Sequence, residues 1–321
     1  MADILLLPQT APALEITRHH GWLRSVGHFA RKKPAGALGA FFIILMLICA
    51  IGADRTFVTG FQSHGQLLAP HYYDDQNLSN RLQSPSLAHP FGTDRLGRDQ
   101  FSQVIYGARS SLIVALAAVL MASVLAAAIG IVSGYMGGMT DLITQRFVDG
   151  WIAFPAIVIL ISGVQVAKAY VGPGATAQTG AVILVLGILF AAAESRVIRG
   201  AAIAVKNEQY IEAARAIGAT DSWIVTRYVL PNVMAVIIVL ATVNLGFAIL
   251  AEATISYLGF GIPVPFPDWG RMLSADGLLY MRKDPWLAFW PGFAIFLAVY
   301  GFNMFGDALR DILDPRLRGS R

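Results

Sequence analysis

Residues 207–232 read NEQYIEAARAIGATDSWIVTRYVLPN and separate two long apolar segments with a polar stretch. Glu208, Glu212 and Arg215 recur at helical spacing, so the stretch is predicted to begin as a short amphipathic helix. Gly218 predicts where that helix ends, because glycine takes the left-handed backbone conformation more easily than any other residue. The sequence therefore predicts a helix followed by a sharp corner.

A second short helix is predicted after the corner. Thr220 or Asp221 can accept hydrogen bonds from its first N–H groups, and Pro231 is expected to end it near residue 229. Small side chains in the first helix would let another surface approach closely, namely Ala213, Ala214 and Ala216. Two helices at a corner form a docking shape, although ordinary surface hairpins have the same geometry.

Composition indicates a membrane protein. Of the 321 residues, 56% are hydrophobic and 14% are charged, which is far more apolar than a soluble domain of this length. A helix needs about 20 mostly apolar residues to cross a bilayer. We therefore expect an all-α polytopic membrane protein with six transmembrane helices. They are predicted at 35–51, 112–133, 151–166, 175–193, 233–251 and 286–305.

Positive charge predicts the orientation of these helices, because Lys and Arg favour cytoplasmic loops. With both termini in the cytoplasm, 15 of the 24 Lys and Arg residues fall in inside segments. The expected segments are a basic cytoplasmic tail (1–34), a first transmembrane helix (35–53), a periplasmic loop with an interfacial helix (54–111), a five-helix core with the cytoplasmic loop 194–232 (112–305), and a cytoplasmic tail (306–321).

The first apolar run could also belong to a cleaved signal peptide, because Arg31, Lys32 and Lys33 precede it. It starts only at residue 35, however, and it has no clear small-residue cleavage site. A retained first transmembrane helix is therefore expected.

The apolar stretches hold no ionisable residue well inside them. Asp149, Glu194 and Glu252 are expected at their edges, whereas ion-coupled carriers normally bury such groups near the bilayer centre. The chain also lacks a GxxxxGK[ST] phosphate-binding loop. A transporter with neither feature needs an external ATPase. The alternative is a stand-alone secondary transporter or channel that uses Glu194 and Glu252.

Catalytic and metal sites are not predicted. The sequence contains neither HExxH nor GxSxG, which leaves an intramembrane enzyme with little support. Its six histidines match no metal-binding spacing, and the single Cys49 can form no disulfide within the chain. Gly130 and Gly134 form a small-xxx-small pair, which is interpreted as a helix-packing contact rather than as a pathway wall.

The stretch 207–232 resembles the EAA loop found in permease subunits of bacterial ABC importers. The matching residues are Glu212, Ala213, Ala214, Gly218, Leu230 and Pro231, while Tyr228 stands where the family often has isoleucine. In that family the loop is the helix that couples the permease to a cytoplasmic ATPase. The resemblance therefore implies an ATPase-coupling role for these matching residues.

Three further segments are similar to the dipeptide, oligopeptide and nickel permeases of the dipeptide-permease C type. They are HPFGTDRLGRDQFSQVIYGARSSL (89–112), ISYLGFGIPVPFPDWGRML (255–273) and PWLAFWPGFAIFLAVYGFNMFGDALRDILDPRLR (285–318). Thr93 or Asp94 is expected to cap the interfacial helix, and the prolines and glycines of the second segment predict a fixed outer loop. Asp149 with Phe154–Pro155 resembles another family pattern, in which Pro155 should kink the third helix.

The resemblance implies a type I permease fold and an ATP-driven importer for peptides or similar small solutes. The implied partners are a homologous second permease chain, two cytoplasmic ATPase subunits or domains that bind ATP and Mg, and a periplasmic or lipid-anchored binding protein. The chain itself is expected to bind no cofactor and no nucleic acid, and to lie among the lipids of the bacterial inner membrane. The cargo stays open among dipeptides, oligopeptides, glutathione, nickel complexes and oligosaccharides.

Overall fold

The computed structural model describes residues 30–54 and 68–313, and these residues form an all-α fold without a strand. The predicted fold class is therefore confirmed. The helices are α1 (Pro34–Gly52), α2 (Gln100–Met136), α3 (Gly138–Ile152), α4 (Ala156–Val171), α5 (Ala175–Lys206), α6 (Gln209–Ala216), α7 (Asp221–Tyr257), α8 (Trp269–Met272) and α9 (Trp286–Leu313). A π-turn (Leu273–Gly277) extends α8 into Leu278–Tyr280. Most of the two predicted tails lies outside the described residues.

Within the described residues, five helices are long and apolar enough to cross a membrane, namely α1, α2, α5, α7 and α9. The remaining predicted span, the third one at 151–166, corresponds to a bent pair, α3 and α4, whose axes meet at 91°. Pro155 lies in the break, where it has no N–H to donate and where its ring disfavours a helical residue before it. The predicted kink is thus a complete break, and the second helix of the pair starts at Ala156 rather than at residue 151.

α2 is one uninterrupted helix of 37 residues, about 55 Å long. The sequence predicted a separate interfacial helix before residue 112, and this prediction is wrong because that segment is the first third of α2. Asp99 caps the helix rather than Thr93 or Asp94, with Oδ2 accepting from the N–H of Ser102 at 2.8 Å. Asp94 is engaged elsewhere, because its Oδ1 accepts from two N–H groups of its own turn.

α7 also runs further than predicted. The sequence placed a helix end near residue 229 because Pro231 follows, yet the helix continues from Asp221 to Tyr257. A π-turn at Val225–Val229 makes this possible, since the N–H of Leu230 bonds to the carbonyl of Val225, one residue further back than in an α-helix. The wider turn relieves the contact that the proline ring would make with a preceding carbonyl.

Packing is centred on α2 and α5, which form the most extensive contact between described elements. Gly130 and Gly134 let the two backbones touch. A Cβ on Gly130 would lie 2.6 Å from the carbonyl oxygen of Ser195, and one on Gly134 would lie 2.7 Å from that of Arg199. The pair is therefore a helix-packing contact, as predicted. α1 packs against α9 and α2, and α9 packs against α7, which completes the bundle.

The bundle has two ends, which we name after one residue in each. The Gly218 end holds α6, the corner at Gly218, and the first and last described helix termini, where Lys33 pairs with Asp311. The Asp268 end holds the segment 68–99 and the loop 258–268. The chain crosses the bundle an even number of times. The start of α1 and the end of α9 therefore lie at the same end.

Candidate functional site

Helix α6 ends in a hydrogen-bonded corner at Gly218. This glycine has φ +85°. Its N–H bonds to the carbonyl of Arg215 at 2.9 Å, and the N–H of Ala219 bonds to that of Ala214 at 3.1 Å. The two bonds form a Schellman motif, in which glycine takes the left-handed position. The predicted conformation of Gly218 is therefore observed, and a Cβ at this position would meet nothing within 4 Å.

One face of the loop 207–220 and the start of α7 is fixed to the bundle. Ile211 and Ile224 are fully buried and Ala214 is nearly so, and all three pack with side chains of α2 and α5. Leu230 is half-buried against the same cluster. Ala214 therefore offers no room for a second protein, contrary to expectation, because α6 turns this face inward. Ala214 and Leu230 fix the loop rather than form its surface.

The opposite face is exposed in this chain. Four of the predicted coupling residues lie on it, namely Glu212, Ala213, Gly218 and Pro231. Three large side chains outside the set of predicted coupling residues are also exposed, and we call them the apolar loop patch: Tyr210 (41%), Ile217 (84%) and Trp223 (45%). Exposed apolar patches are a common feature of protein interaction surfaces.

Tyr228 links the two sides of the apolar loop patch. Its ring centroid lies 5.7 Å from that of Tyr210 and 5.3 Å from that of Trp223, within the usual range for aromatic pairs. Partial burial, and then the charge of Glu208, raise the pKa of the Tyr210 hydroxyl, so this side chain is neutral at physiological pH. The aromatic contacts hold the patch in one arrangement across the corner.

Tyr135, near the end of α2, ties the corner to the bundle. Its hydroxyl donates to Oδ1 of Asp221 at 2.6 Å, and Arg215 and Lys206 lie over its ring, 5.4 and 5.8 Å from the centroid. The predicted helix cap at Thr220 or Asp221 is wrong, because no side chain caps this end of α7 and Asp221 binds Tyr135 instead. Sequence spacing could not reveal a contact between residues 135 and 221.

Ion pairs join α3 to α5 at the same end. Asp141 accepts from Nε of Arg199 at 2.6 Å, and the hydroxyl of Ser133 donates to the same carboxylate at 2.5 Å. Asp149 pairs with Arg196. Helices α2, α3 and α5 are thus connected by side-chain contacts at this end of the bundle.

Two carboxylates are buried inside long helices rather than placed at their ends. Glu194 is 3% exposed in α5, where Asn244 of α7 donates to one oxygen and Ser123 of α2 lies 3.5 Å from the other. Glu252 is fully buried in α7 and accepts from two serine hydroxyls. Each follows directly after a predicted apolar run, 175–193 or 233–251, and each helix continues past its run, because hydropathy detects only the apolar part of a longer helix. Polar partners from neighbouring helices make the burial possible.

A groove of about 690 Å³ opens at the Gly218 end between α5, α7 and α9. Its wall is mostly aliphatic, with one carboxylate, one guanidinium and one amide at its margin. The residues that line it include Val197, Val239, Val243, Asn232, Asp307 and Arg310. A groove open along one side in this chain needs a second surface to become a closed passage.

At the opposite end, two cations hold the loop 258–268. The Lys168 ammonium donates to the carbonyls of Phe260 and Gly261 at 2.8 and 2.6 Å, and Arg271 donates to the carbonyl of Ile262 at 2.6 Å. Buried Asp268 accepts from two N–H groups at the start of α8. The fixed loop that the prolines and glycines predicted is therefore present, and its backbone oxygens are held by side chains.

Residues 126–319 match the family described as "Binding-protein-dependent transport system inner membrane component". The chain is 41% identical over 288 residues to the dipeptide transport system permease protein DppC of Alkalihalophilus pseudofirmus, a match that covers 90% of this chain and 88% of the relative. It is 36% identical over 301 residues to the glutathione transport system permease protein GsiD of Escherichia coli O1:K1, covering 94% and 91%. GsiD of Shigella sonnei matches to the same extent.

These matches extend over nearly the whole chain, and they agree with a bundle of membrane-crossing helices that carries an exposed glycine corner at one end. The resemblance noted from the EAA-like stretch and the three further segments is confirmed. The chain therefore belongs to the binding-protein-dependent transport system inner membrane components, and it is a membrane-spanning permease subunit of an ABC importer rather than an enzyme.

Proposed function

We propose that the Gly218 end lies in the cytoplasm and that the loop 207–220 receives an ATPase subunit there. The observation that carries this proposal is the two-sided construction of the loop. Its inner face is fixed by Ile211 and Ala214, while its outer face presents the apolar loop patch beside Glu212 and Ala213. A surface that is held rigidly from behind can transmit a displacement instead of bending under it.

The contacts of Tyr135 supply the route for that displacement. Asp221 begins α7, Arg215 lies in α6, and both contact Tyr135 near the end of α2. When the ATPase pair closes on ATP and Mg, movement of α6 would therefore act on α2 and α7 together. The permease would alternate between inward and outward openings by rigid movements of packed helices. In this scheme ATP and Mg bind to the partner subunits and not to this chain.

The open groove at the Gly218 end supports a heterodimer with a second, homologous permease chain. One chain leaves the groove open along its side, so a second chain would close it into a pathway. Asp307 and Arg310 at its margin offer one charge of each sign, which suits a peptide or a similar small zwitterionic solute. Relatives named for dipeptide and glutathione transport agree with that cargo class.

The Asp268 end would face the periplasm and meet the substrate-binding protein. The loop 258–268 is held by Lys168 and Arg271, so it offers a rigid rim to a soluble partner. This orientation places both chain termini in the cytoplasm, and it puts most Lys and Arg residues on the inner side, as the positive-inside rule requires.

The proposal predicts that Gly218→Asp uncouples the transporter. Any side chain is strained at φ +85°, and an aspartate would change the surface that the ATPase contacts, whereas no buried contact is lost. The amount of the permease in the membrane should stay unchanged. Uptake per ATP hydrolysed should fall at least about tenfold, or the ATPase should no longer co-purify with the permease. Reconstituted importer in liposomes provides both measurements.

Gly172→Asp is the matched control. Gly172 has φ +81° and open space around its Cα, but it lies at the Asp268 end, so the variant carries similar backbone strain without touching the corner. It should keep ATPase binding and coupling. Normal coupling in Gly218→Asp would refute the docking role. Uptake by the permease pair without ATPases, under a proton or sodium gradient, would instead support a secondary transporter.

A further inference from the structure

Two histidines and a carboxylate meet at the Asp268 end, where nothing in the transport mechanism uses them. His71, His89 and Asp99 each bring one ligand atom to within 4.8 Å of the other two. His89 Nδ1 lies 3.0 Å from Asp99 Oδ1, and the two imidazole rings are 5.3 Å apart between centroids. We propose that these residues form a binding site for a divalent transition metal, with Zn²⁺ as the preferred ion.

The donor set fits zinc. Imidazole nitrogens and a carboxylate oxygen bind Zn²⁺ at about 2.0–2.2 Å, which places ligand atoms roughly 3.3 Å apart in a tetrahedron. The pair His89–Asp99 is already near that separation. His71 has to approach by at most about 1.5 Å, judged from the same tetrahedral spacing. Its side chain is only half-buried on irregular backbone, so a rotation can supply the movement, and water would take the fourth position.

Hydroxyl groups position the proposed ligands. Ser102 Oγ donates to Asp99 Oδ2 at 2.7 Å and accepts from the N–H of His71 at 3.1 Å. Ser86 Oγ accepts from the N–H of His89 at 3.1 Å. Metal sites depend on such outer partners, which orient the residues that bind the ion. The arrangement is therefore more than a chance meeting of loop histidines.

Charge also favours a cation here. Asp99 is 3% exposed, and its only ion-pair partner among the described residues is His89, which is charged only when protonated. The start of α2 offsets part of the carboxylate charge through the Ser102 N–H. The neighbouring guanidinium of Arg98 pairs with Asp94 and Asp74 instead. A divalent ion would complete the neutralisation of this buried carboxylate.

Bound metal would join separate parts of the Asp268 end. His71 lies in the segment that follows α1, His89 lies in a turn before α2, and Asp99 caps α2. One ion would therefore fasten the segment 68–99 to the start of α2. The inference is independent of the proposed cargo and of ATPase docking, because it concerns the opposite end.

The test uses the assembled importer in nanodiscs after removal of metal with a chelator. Co²⁺ is titrated first, because imidazole-bound tetrahedral Co²⁺ gives a visible absorption band, and Zn²⁺ affinity is then measured by competition with a chromophoric chelator. The unaltered importer should show one site that His71→Ala and His89→Ala each weaken at least about 100-fold, more than loss of an outer partner usually does. Ser102→Ala should weaken it about tenfold.

Gln76→Ala serves as the surface control, since Gln76 is exposed and close in sequence to His71 but supplies no ligand. It should bind Zn²⁺ as the unaltered importer does. His89 is nearly buried, so His71→Gln provides a second ligand variant that preserves side-chain size, and thermal unfolding in chelator checks that each variant is folded. Equal Zn²⁺ affinity in the His71 variants and the unaltered importer, or only millimolar binding, would overturn the proposal.

Discussion

At the scale of single residues, glycine has two different roles in this permease. Gly218 is needed for its backbone conformation, since φ is +85° and the space around it is open. Gly130 is needed for its small size, because the backbone of α5 lies where its side chain would be. Substitution should therefore affect coupling at Gly218 and folding at Gly130.

Gly130→Val should destabilise the fold. A valine would place its Cβ 2.6 Å from the carbonyl oxygen of Ser195 and force α2 away from α5, which costs about 1–3 kcal/mol for overpacking. Gly200→Val is the control, because Gly200 lies in α5 with nothing within 4 Å of its Cβ position. Thermal unfolding in detergent should show a clearly lower midpoint for Gly130→Val alone. Equal midpoints would contradict the close contact of α2 with α5.

Residue-level prediction succeeded where the cause is local. The conformation of Gly218 follows from the end of its own helix, so the sequence was enough. The inward direction of Ala214 depends on where α2 and α5 lie, and the bond between Tyr135 and Asp221 joins residues far apart in the sequence. Neither could be obtained from spacing within the loop.

At the scale of elements, the loop 258–268 depends on one lysine from another helix. The Lys168 ammonium in α4 donates to the carbonyls of Phe260 and Gly261, which would otherwise have to find other donors. Hydrogen bonds from a charged donor contribute about 1.5–3 kcal/mol each, so this contact stabilises the loop against opening.

Lys168→Met should therefore loosen the loop 258–268 while the bundle stays folded. Methionine keeps the length and packing of the side chain but removes the donor. Amide hydrogen exchange in the loop should rise roughly tenfold or more, whereas exchange in α2 should stay unchanged. Lys283→Met is the matched control, because Lys283 is exposed and no ion pair involves it among the described residues. Unchanged exchange in Lys168→Met would show that the loop is held without the lysine.

Helix existence could be predicted from the sequence, but helix length could not. Apolar runs located all the membrane-crossing elements, since bilayer burial depends on composition. They missed the ends of α2 and α5, where polar residues continue the helix beyond the apolar part. Pro231 led to a wrong prediction of a helix end near residue 229, because the π-turn that accommodates it at Val225–Val229 has no sequence signal of its own.

At the scale of the whole molecule, the mechanism depends on which end of the bundle faces the cytoplasm. The Gly218 end carries the apolar loop patch and the pairing of Lys33 with Asp311, and the Asp268 end carries the segment 68–99. The proposed mechanism requires the first in the cytoplasm and the second in the periplasm, because ATP is available only inside the cell.

Single cysteines should report that orientation. In a Cys49→Ser background, Leu87→Cys and Ile217→Cys place thiols at two fully or largely exposed positions at opposite ends, 105% and 84% exposed. A membrane-impermeant maleimide applied to spheroplasts should label the Leu87→Cys variant. It should label the Ile217→Cys variant only after the membrane is permeabilised, or in inverted membrane vesicles that lack the ATPase. Labelling in the reverse order would place the corner outside the cell and refute the docking proposal.

The passage of α7 through Pro231 without a break has a consequence for the timing of transport. The helix runs as one piece of 37 residues, about 55 Å by its rise per residue, so it connects the Gly218 end to the Asp268 end without a break. In the proposed mechanism both ends would then switch in a single step, and a ligand that wedges the Asp268 end should also freeze nucleotide turnover on the far side of the bilayer.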